Sequence, residues 1–405
     1  MQTTHHHHAW DYILLGSVLI LIVFGLIMIT SIGVPRSIKL SAPNVAFPNC
    51  SEDTVDCYFI LKKHVVRILI GFALMWVASK IPYEFWRKTS LFFFGGTLLL
   101  LLSVLIFGST NNTFARSWFN VWEASIQPAE FARLALIFYL GHWMGRKSDE
   151  LRSFQNGFIP FCVIMGILVL PVLFQPDLGA TLVLVTIAVA IYFVAGVRIR
   201  DLFFGALVAT VISVSLILNV DYLHKRFQAF LFPSDDCTES YCWQAEQAKI
   251  AVGSGGLWGA GLTQGIQKSY WLPQATDDFI FAASSEEMGF FRTVAVVILY
   301  LVIAYRGFRI ALHAPTKFGM LTAVGITTWI VSQAFINIAV NISLFPITGI
   351  TLPFVSYGGS SLTATLIGVG ILLNISQYTL DHAYRTDRRR NRGAYLPKYR
   401  RFRNA

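Results

Sequence analysis

The chain has 405 residues, of which 55% are hydrophobic and only 13% charged, about half the charged share of a soluble domain. With 33 phenylalanines and a mean hydropathy of +0.58, this composition excludes a disordered, fibrous or ordinary water-soluble chain and indicates a polytopic membrane protein. Lys and Arg outnumber Asp and Glu 32 to 22, a net charge of +10 that in a membrane protein first reports topology.

A helix crossing about 30 Å of hydrocarbon needs about 20 apolar residues. That ruler finds ten candidate spans, at 12–33, 64–80, 89–108, 126–144, 157–174, 179–197, 202–220, 289–307, 317–342 and 360–379. The expected fold is an all-α polytopic membrane protein with ten transmembrane helices and one large loop, 221–288, between the seventh and eighth. The first apolar run is too long for a signal peptide and has no small-residue cleavage site. The even-numbered connections are short and basic, holding Lys80, Arg87, Lys88, Arg146, Arg198, Arg200, Arg306 and Arg309 among others. Inner loops carry that bias, so residues 1–11 and the Arg-rich tail 381–405 are expected to be cytoplasmic, flanking one membrane domain, 12–380. The tail is a solvated basic run suited to anionic lipid. The His5–His8 run resembles a tag or a weak metal-binding tract and is given no role. No internal repeat is evident, which weakens an inverted-repeat transporter reading.

The same orientation forecasts the cysteines. Cys50 and Cys57 share the first outer loop, and Cys237 and Cys242 share the large one; both pairs are expected to form disulfides in an oxidising compartment. Cys162 falls within a span and is expected to be a buried thiol.

Ionisable side chains in or beside spans are costly and are functional candidates by default. Here they concentrate on the outer side. Arg116 and Trp118 precede the fourth span, and Gln127, Glu130 and Arg133 lie in its first turns. Glu130 and Arg133, spaced i, i+3, share a face; a structural ion pair and a functional one are equally open. Gln175-Pro176-Asp177-Leu178-Gly179 breaks the chain between spans five and six, where Asp177 suits a helix cap. The large loop brings Arg226, Gln247, Lys249 and the run Gly253-Ser254-Gly255-Gly256, with Gly259 and Gly261. Such glycines let amides approach an anion, though a plain turn explains them as well. Trp271 to Ala282 follows, with adjacent carboxylates Asp277 and Asp278 before an apolar segment, then Glu286 and Glu287. A carboxylate at a low-dielectric boundary gains proton affinity and can act as a general base. On spacing alone, a helix cap is the plainer reading. Pro346, Gly349, Pro353 and Ser356-Tyr357-Gly358-Gly359-Ser360-Ser361 form the last outer connection. Irregular backbone at membrane depth is tolerated only against protein or a wet cavity, so these segments suit a cavity opening outward.

Together the motifs resemble the SEDS family (shape, elongation, division and sporulation), which includes FtsW and RodA. The stretches that carry the resemblance are Ala115-Arg116-Ser117-Trp118, Ser125-Ile126-Gln127-Pro128-Ala129-Glu130, Gln175 to Gly179, Gly253 to Leu257 through Asp278-Phe279-Ile280-Phe281-Ala282, and Leu352-Pro353-Phe354 through Ser361. It covers about residues 10–380 and is closer to FtsW than to RodA around Ser125-Ile126-Gln127-Pro128 and in the first span. The family's usual Lys in the fourth span is Arg133 here. Its usual Pro-Glu-Ala-His-Thr-Asp reads Pro273-Gln274-Ala275-Thr276-Asp277-Asp278, without the Glu and the His.

The resemblance implies ten transmembrane helices and a bacterial cytoplasmic-membrane enzyme that polymerises lipid II into glycan strands at the outer face. It implies a class B penicillin-binding protein and other division or elongation proteins as partners, and no nucleic acid. Asp278 maps to the family's essential aspartate and is the expected general base in an inverting transfer. Arg116, Arg133, Arg226 and Lys249 would offset diphosphate charge, while Gln127, Glu130, Asp177, Gln247, Ser356 and Ser360 are expected to line the substrate site. A divalent cation, Mg or Mn, is compatible with the chemistry, but no ligand cluster in the sequence demands one. A lipid II flippase or transporter and a non-catalytic scaffold are the alternatives. The first needs polar residues through the whole bilayer, and the inner halves of the spans are almost wholly apolar.

Overall fold

A computed structural model describes residues 9–43, 50–51, 55–110, 116–121, 124–146, 150–232 and 240–378. The chain is predominantly helical and multi-pass. Its helices are α1 (Tyr12–Ile32), α2 (Val34–Ser41), α3 (Phe59–Lys80), α4 (Tyr83–Phe107), α5 (Pro128–Arg146), α6 (Ile159–Phe174), α7 (Leu178–Val194), α8 (Ile199–Asn219), α9 (Asp221–Leu231), α10 (Ser240–Ser254), α11 (Ile280–His313), α12 (Lys317–Asn341) and α13 (Gly359–Gln377). A short hairpin of β1 (Phe119–Val121) and β2 (Ala124–Ile126), with Asn120 opposite Ser125, leads into α5; the all-helical expectation did not include it.

By length and apolar composition alone, seven segments among the described residues could cross a membrane: α1, α4, α6 with its preceding turn, α8, α11, α12 and α13. Three other predicted spans also coincide with helices, namely α3, α5 and α7. These three are more charged or shorter than the seven: α3 begins with Lys62, Lys63 and Arg67, α5 carries Glu130, Arg133 and Arg146, and α7 has only 17 residues.

The packing is centred on α12, whose residues are mostly buried among α5, α7 and α11, while α13 lies along α3. In contrast, α8 buries only Asp201 and turns apolar side chains such as Phe203 outward, as a lipid-facing helix does. Polar ties close one end of the bundle. Asp11 caps α1 through the Leu14 amide and accepts from Arg306 Nη2 of α11 at 2.7 Å. Asn374 of α13 accepts from the Tyr83 amide and donates to the Ser79 carbonyl, both at 2.9 Å, pinning the α3–α4 turn.

The opposite end is irregular. Gly289 (φ +76°) kinks α11, so Ile280–Met288 forms a separate half-helix ahead of the long span. The glycine-rich stretch packs directly on that half-helix. A Cβ at Gly255 would lie 2.0 Å from the Ser285 carbonyl oxygen, and one at Gly259 would lie 2.3 Å from that of Glu287. These glycines therefore serve close backbone packing and do not form an anion cradle. Glu286 accepts from the Ile266 amide at 2.8 Å and Glu287 from Lys268 Nζ at 2.7 Å, so both carboxylates hold the loop.

The Cys50–Cys57 disulfide is formed, with 5.8 Å between Cα atoms. Cys242 is disulfide-bonded; Cys237 lies outside the described residues. Cys162 is a free, half-buried thiol in α6. The His5–His8 run and the tail from 379 also lie outside the described residues.

Candidate functional site

At the irregular end, a cavity of about 410 Å³ opens among α2, α3, α5, α7, α9, the loop before α11 and the loop from Ile347 to Ser361. Seven of the eleven residues expected at the substrate site line it: Gln127, Glu130, Arg133, Asp177, Arg226, Asp278 and Ser360. Four others lie off its wall. Arg116 is exposed, Gln247 is buried in α10, and Lys249 is exposed on the same helix. Ser356 is buried and staples two loops, donating to the Asp277 carbonyl at 2.6 Å and accepting from the Leu352 amide at 2.8 Å. Gln244, one helical turn from Gln247, faces the cavity instead.

Asp278 does not cap α11: the cap position is Phe279, and no side chain bonds there. Its main chain is held from α12, where Asn337 Nδ2 and Asn341 Nδ2 donate to its carbonyl at 2.8 and 2.9 Å. The carboxylate itself makes no hydrogen bond or ion pair among the described residues. Burial, reinforced by the neighbouring Asp277 charge, pushes its pKa up to about 7, with Arg226 and Arg36 pulling the other way. Asp277 differs. Arg36 of α2 binds its Oδ2 at 2.6 Å, and the same guanidinium donates to Thr276 Oγ1 at 2.6 Å. One carboxylate of the adjacent pair is neutralised, and the other is left available.

The wall opposite is built from α5 and α7. Arg133 pairs with Glu130, both almost fully buried, and donates to Gln333 Oε1 at 2.8 Å. Its guanidinium carbon also sits 5.6 Å from the centre of the Trp329 ring. Asp177 caps α7 through the Ala180 amide at 2.9 Å, as its position suggested, and its other oxygen accepts from Gln127 Nε2 at 2.8 Å. Burial raises the Asp177 pKa despite these bonds. Gly179 has a Cβ position 2.8 Å from the Thr348 carbonyl oxygen, so α7 seats directly on the last loop. Arg226 of α9 reaches the same loop through the Ile347 carbonyl at 2.9 Å. Ser360 Oγ accepts from the Gln127 amide at 3.1 Å and donates to the Ser125 carbonyl at 3.1 Å, joining α13 to β2.

The cavity also holds residues that the sequence reading passed over. Arg36 and Arg67 line it, with guanidinium carbons 5.5 and 4.5 Å from the Tyr357 ring centre. Arg67 fell within a predicted span, which is itself a signal of function. Behind its lining, Gln333, Asn337 and Asn341 recur at i, i+4, i+8 on apolar α12, a polar stripe that holds Arg133 and the Asp278 main chain. No group of three His, Cys, Asp or Glu side chains among the described residues is placed to hold a metal ion.

Comparison with known proteins gives this arrangement a context. The family model for FtsW, RodA and SpoVE, described as "Cell cycle protein", matches residues 12–381. Stage V sporulation protein E of Bacillus subtilis is 39% identical over 371 residues, covering 91% of this chain and 97% of that protein. The probable peptidoglycan glycosyltransferase FtsW of Geobacter sulfurreducens is 39% identical over 322 residues, covering 79% and 86%. A solved chain described as "Structural coordination of polymerization and crosslinking by a peptidoglycan synthase complex" superposes with a TM-score of 0.73 at 25% identity, covering 91% of this chain and 98% of that one. Rod shape determining protein RodA of Thermus thermophilus shares the fold at a TM-score of 0.66 and 24% identity, covering 92% and 98%. With almost the whole chain matched and the fold shared, the protein belongs to the FtsW/RodA/SpoVE family.

Proposed function

We propose that this protein is a peptidoglycan glycosyltransferase that polymerises lipid II into glycan strands, with Asp278 as general base. One observation carries the reading: a carboxylate with no hydrogen-bond or ion-pair partner among the described residues, its pKa near neutrality, stands in a cavity also lined by four arginines. In the transfer, an acceptor sugar hydroxyl attacks the anomeric carbon of the lipid-linked donor. The new C–O bond forms as the bond to the diphosphate breaks, and Asp278 takes the hydroxyl proton. Positioned proton transfer of this kind is worth about 10²–10⁴-fold. Opposed attack and departure invert the anomeric centre. The arginines of the cavity offset the leaving diphosphate charge, and a Mg or Mn ion, were one bound, would supply further stabilisation of that charge.

The functional arrangement rests on ten crossings by residues 12–380, with the cavity opening on the outer face of the bacterial cytoplasmic membrane. Lys80, Arg146, Arg198, Arg306 and Arg309 gather at the end remote from the cavity, which supports that orientation. A class B penicillin-binding protein, which crosslinks the strands, is the expected partner, in keeping with the synthase complex to which the superposed chain belongs. The similarity to FtsW proteins favours septal wall synthesis.

The test is gel analysis of glycan strands made from lipid II by the purified protein, with and without a penicillin-binding partner. Asp278→Asn and Asp278→Ala are expected to abolish polymerisation while the protein stays folded. Normal turnover by either variant overturns the assignment. Asp278-dependent lipid II flipping in vesicles, without polymerisation, would establish transport instead.

A further inference from the structure

The cations of the cavity are not equivalent. Arg133 is committed to Glu130 and Gln333, Arg36 to Asp277 and Thr276, and Arg226 to the Ile347 carbonyl. Arg67 has no hydrogen bond and no ion pair among the described residues. Its guanidinium carbon sits over the Tyr357 ring, 4.5 Å from the ring centre. It also crosses Gly359, where a Cβ would meet Arg67 Nε at 3.0 Å and Cδ at 3.1 Å. Contacts with Tyr357 and Gly359 thus hold the group in the wall while its donors have no acceptor among the described residues. A guanidinium pre-set in this way matches two phosphate oxygens at once, and little rotamer freedom remains to be lost on binding.

We infer that Arg67 binds the diphosphate of a lipid-linked substrate, making it the anion subsite complementary to the Asp278 carboxylate in the same cavity. The inference rests on the glycosyltransferase reading and deepens it by assigning the diphosphate to the α3 wall, beside Tyr357 and Gly359. The committed guanidiniums Arg133 and Arg36 keep their internal partners and supply field rather than direct contacts. No covalent step occurs at Arg67; it is a binding residue.

The test uses the full chain in detergent micelles, with radiolabelled farnesyl diphosphate and farnesol as probes. Wild type is expected to bind farnesyl diphosphate more tightly than farnesol. Arg67→Ala is expected to weaken the diphosphate by about ten-fold or more and leave farnesol unchanged, as a lost charge-assisted contact requires. Arg67→Lys, which retains the charge but not the fork, is expected to recover part of that loss. Asp278→Asn is expected to bind farnesyl diphosphate at least as tightly as wild type. Unchanged diphosphate binding by Arg67→Ala overturns the inference, as does equal weakening of farnesol, which would make Arg67 a packing residue for Tyr357. If Arg67→Ala fails to fold, Gly359→Ala gives the second reading: by displacing Arg67 it is expected to weaken the diphosphate selectively, and unchanged binding there overturns the inference. Arg67-dependent diphosphate binding by a protein that polymerises no lipid II supports the subsite and overturns the glycosyltransferase reading.

Discussion

Asn337 donates its side-chain amide to the main-chain carbonyl of Asp278 at 2.8 Å and to that of Ile350 at 2.6 Å. One buried amide on α12 therefore ties the proposed base to the adjoining loop from Ile347 to Ser361. A leucine there keeps the volume and leaves two carbonyls short of a donor, each at a cost of about 1–3 kcal/mol. Asn337→Leu is expected to lower the melting temperature and to reduce lipid II polymerisation by about ten-fold without abolishing it, because Asn341 still holds Asp278. Farnesol binding reports the cavity's integrity in the same sample.

Titration of Asp278 gives polymerisation a signature. The base must be ionised, so the rate at low substrate should rise with pH through about 7 and level off above it. Stability runs the opposite way. The folded carboxyl holds its proton more tightly than the unfolded one, whose pKa is the ordinary 3.8, so Asp278 draws stability down as pH rises from about 4 to about 7. Asp278→Asn removes that penalty and should gain thermal stability over wild type at pH 8 but not at pH 4. A wild-type rate that is flat between pH 5.5 and 8.5 would remove Asp278 from the proton transfer.

The Glu130–Arg133 pair is almost wholly excluded from solvent. Removing one partner strands a buried charge, at about 3–5 kcal/mol, whereas replacing both by apolar residues of similar size is often tolerated. Glu130→Ala is expected to unfold well below wild type, and the double change Glu130→Leu with Arg133→Met to recover much of the loss. Denaturation curves of the three proteins in one detergent decide this. If the double variant also fails to polymerise while folded, the pair has a functional as well as a structural role.

Gly259 combines a left-handed backbone (φ +85°) with a Cβ position 2.3 Å from the Glu287 carbonyl oxygen. Gly259→Ala is expected to cost at least about 2 kcal/mol, from strain and from separation of the glycine-rich stretch from the α11 half-helix. Loss of the folded species on size-exclusion chromatography, with no change for Gly253→Ala, whose Cβ position is open, would confirm the distinction.

Hydropathy by itself determined the helices: every predicted span coincides with one, because a bilayer requires long apolar runs whatever their neighbours are. The motif residues at helix starts were legible for the same local reason. Asp177 caps α7 and Glu130 pairs with Arg133, since both arrangements depend on spacings of three along one helix. What only the tertiary structure decided was which polar groups remain available. Asp277 and Asp278 are identical neighbours in sequence, and they part only because α2 delivers Arg36 to the first. Spacing pairs Arg133 with Glu130, but only packing adds Gln333 to it and sets Arg67 against Tyr357 and Gly359. Partners hundreds of residues apart meet through helix packing, and a charge's chemistry depends on those partners more than on its own identity.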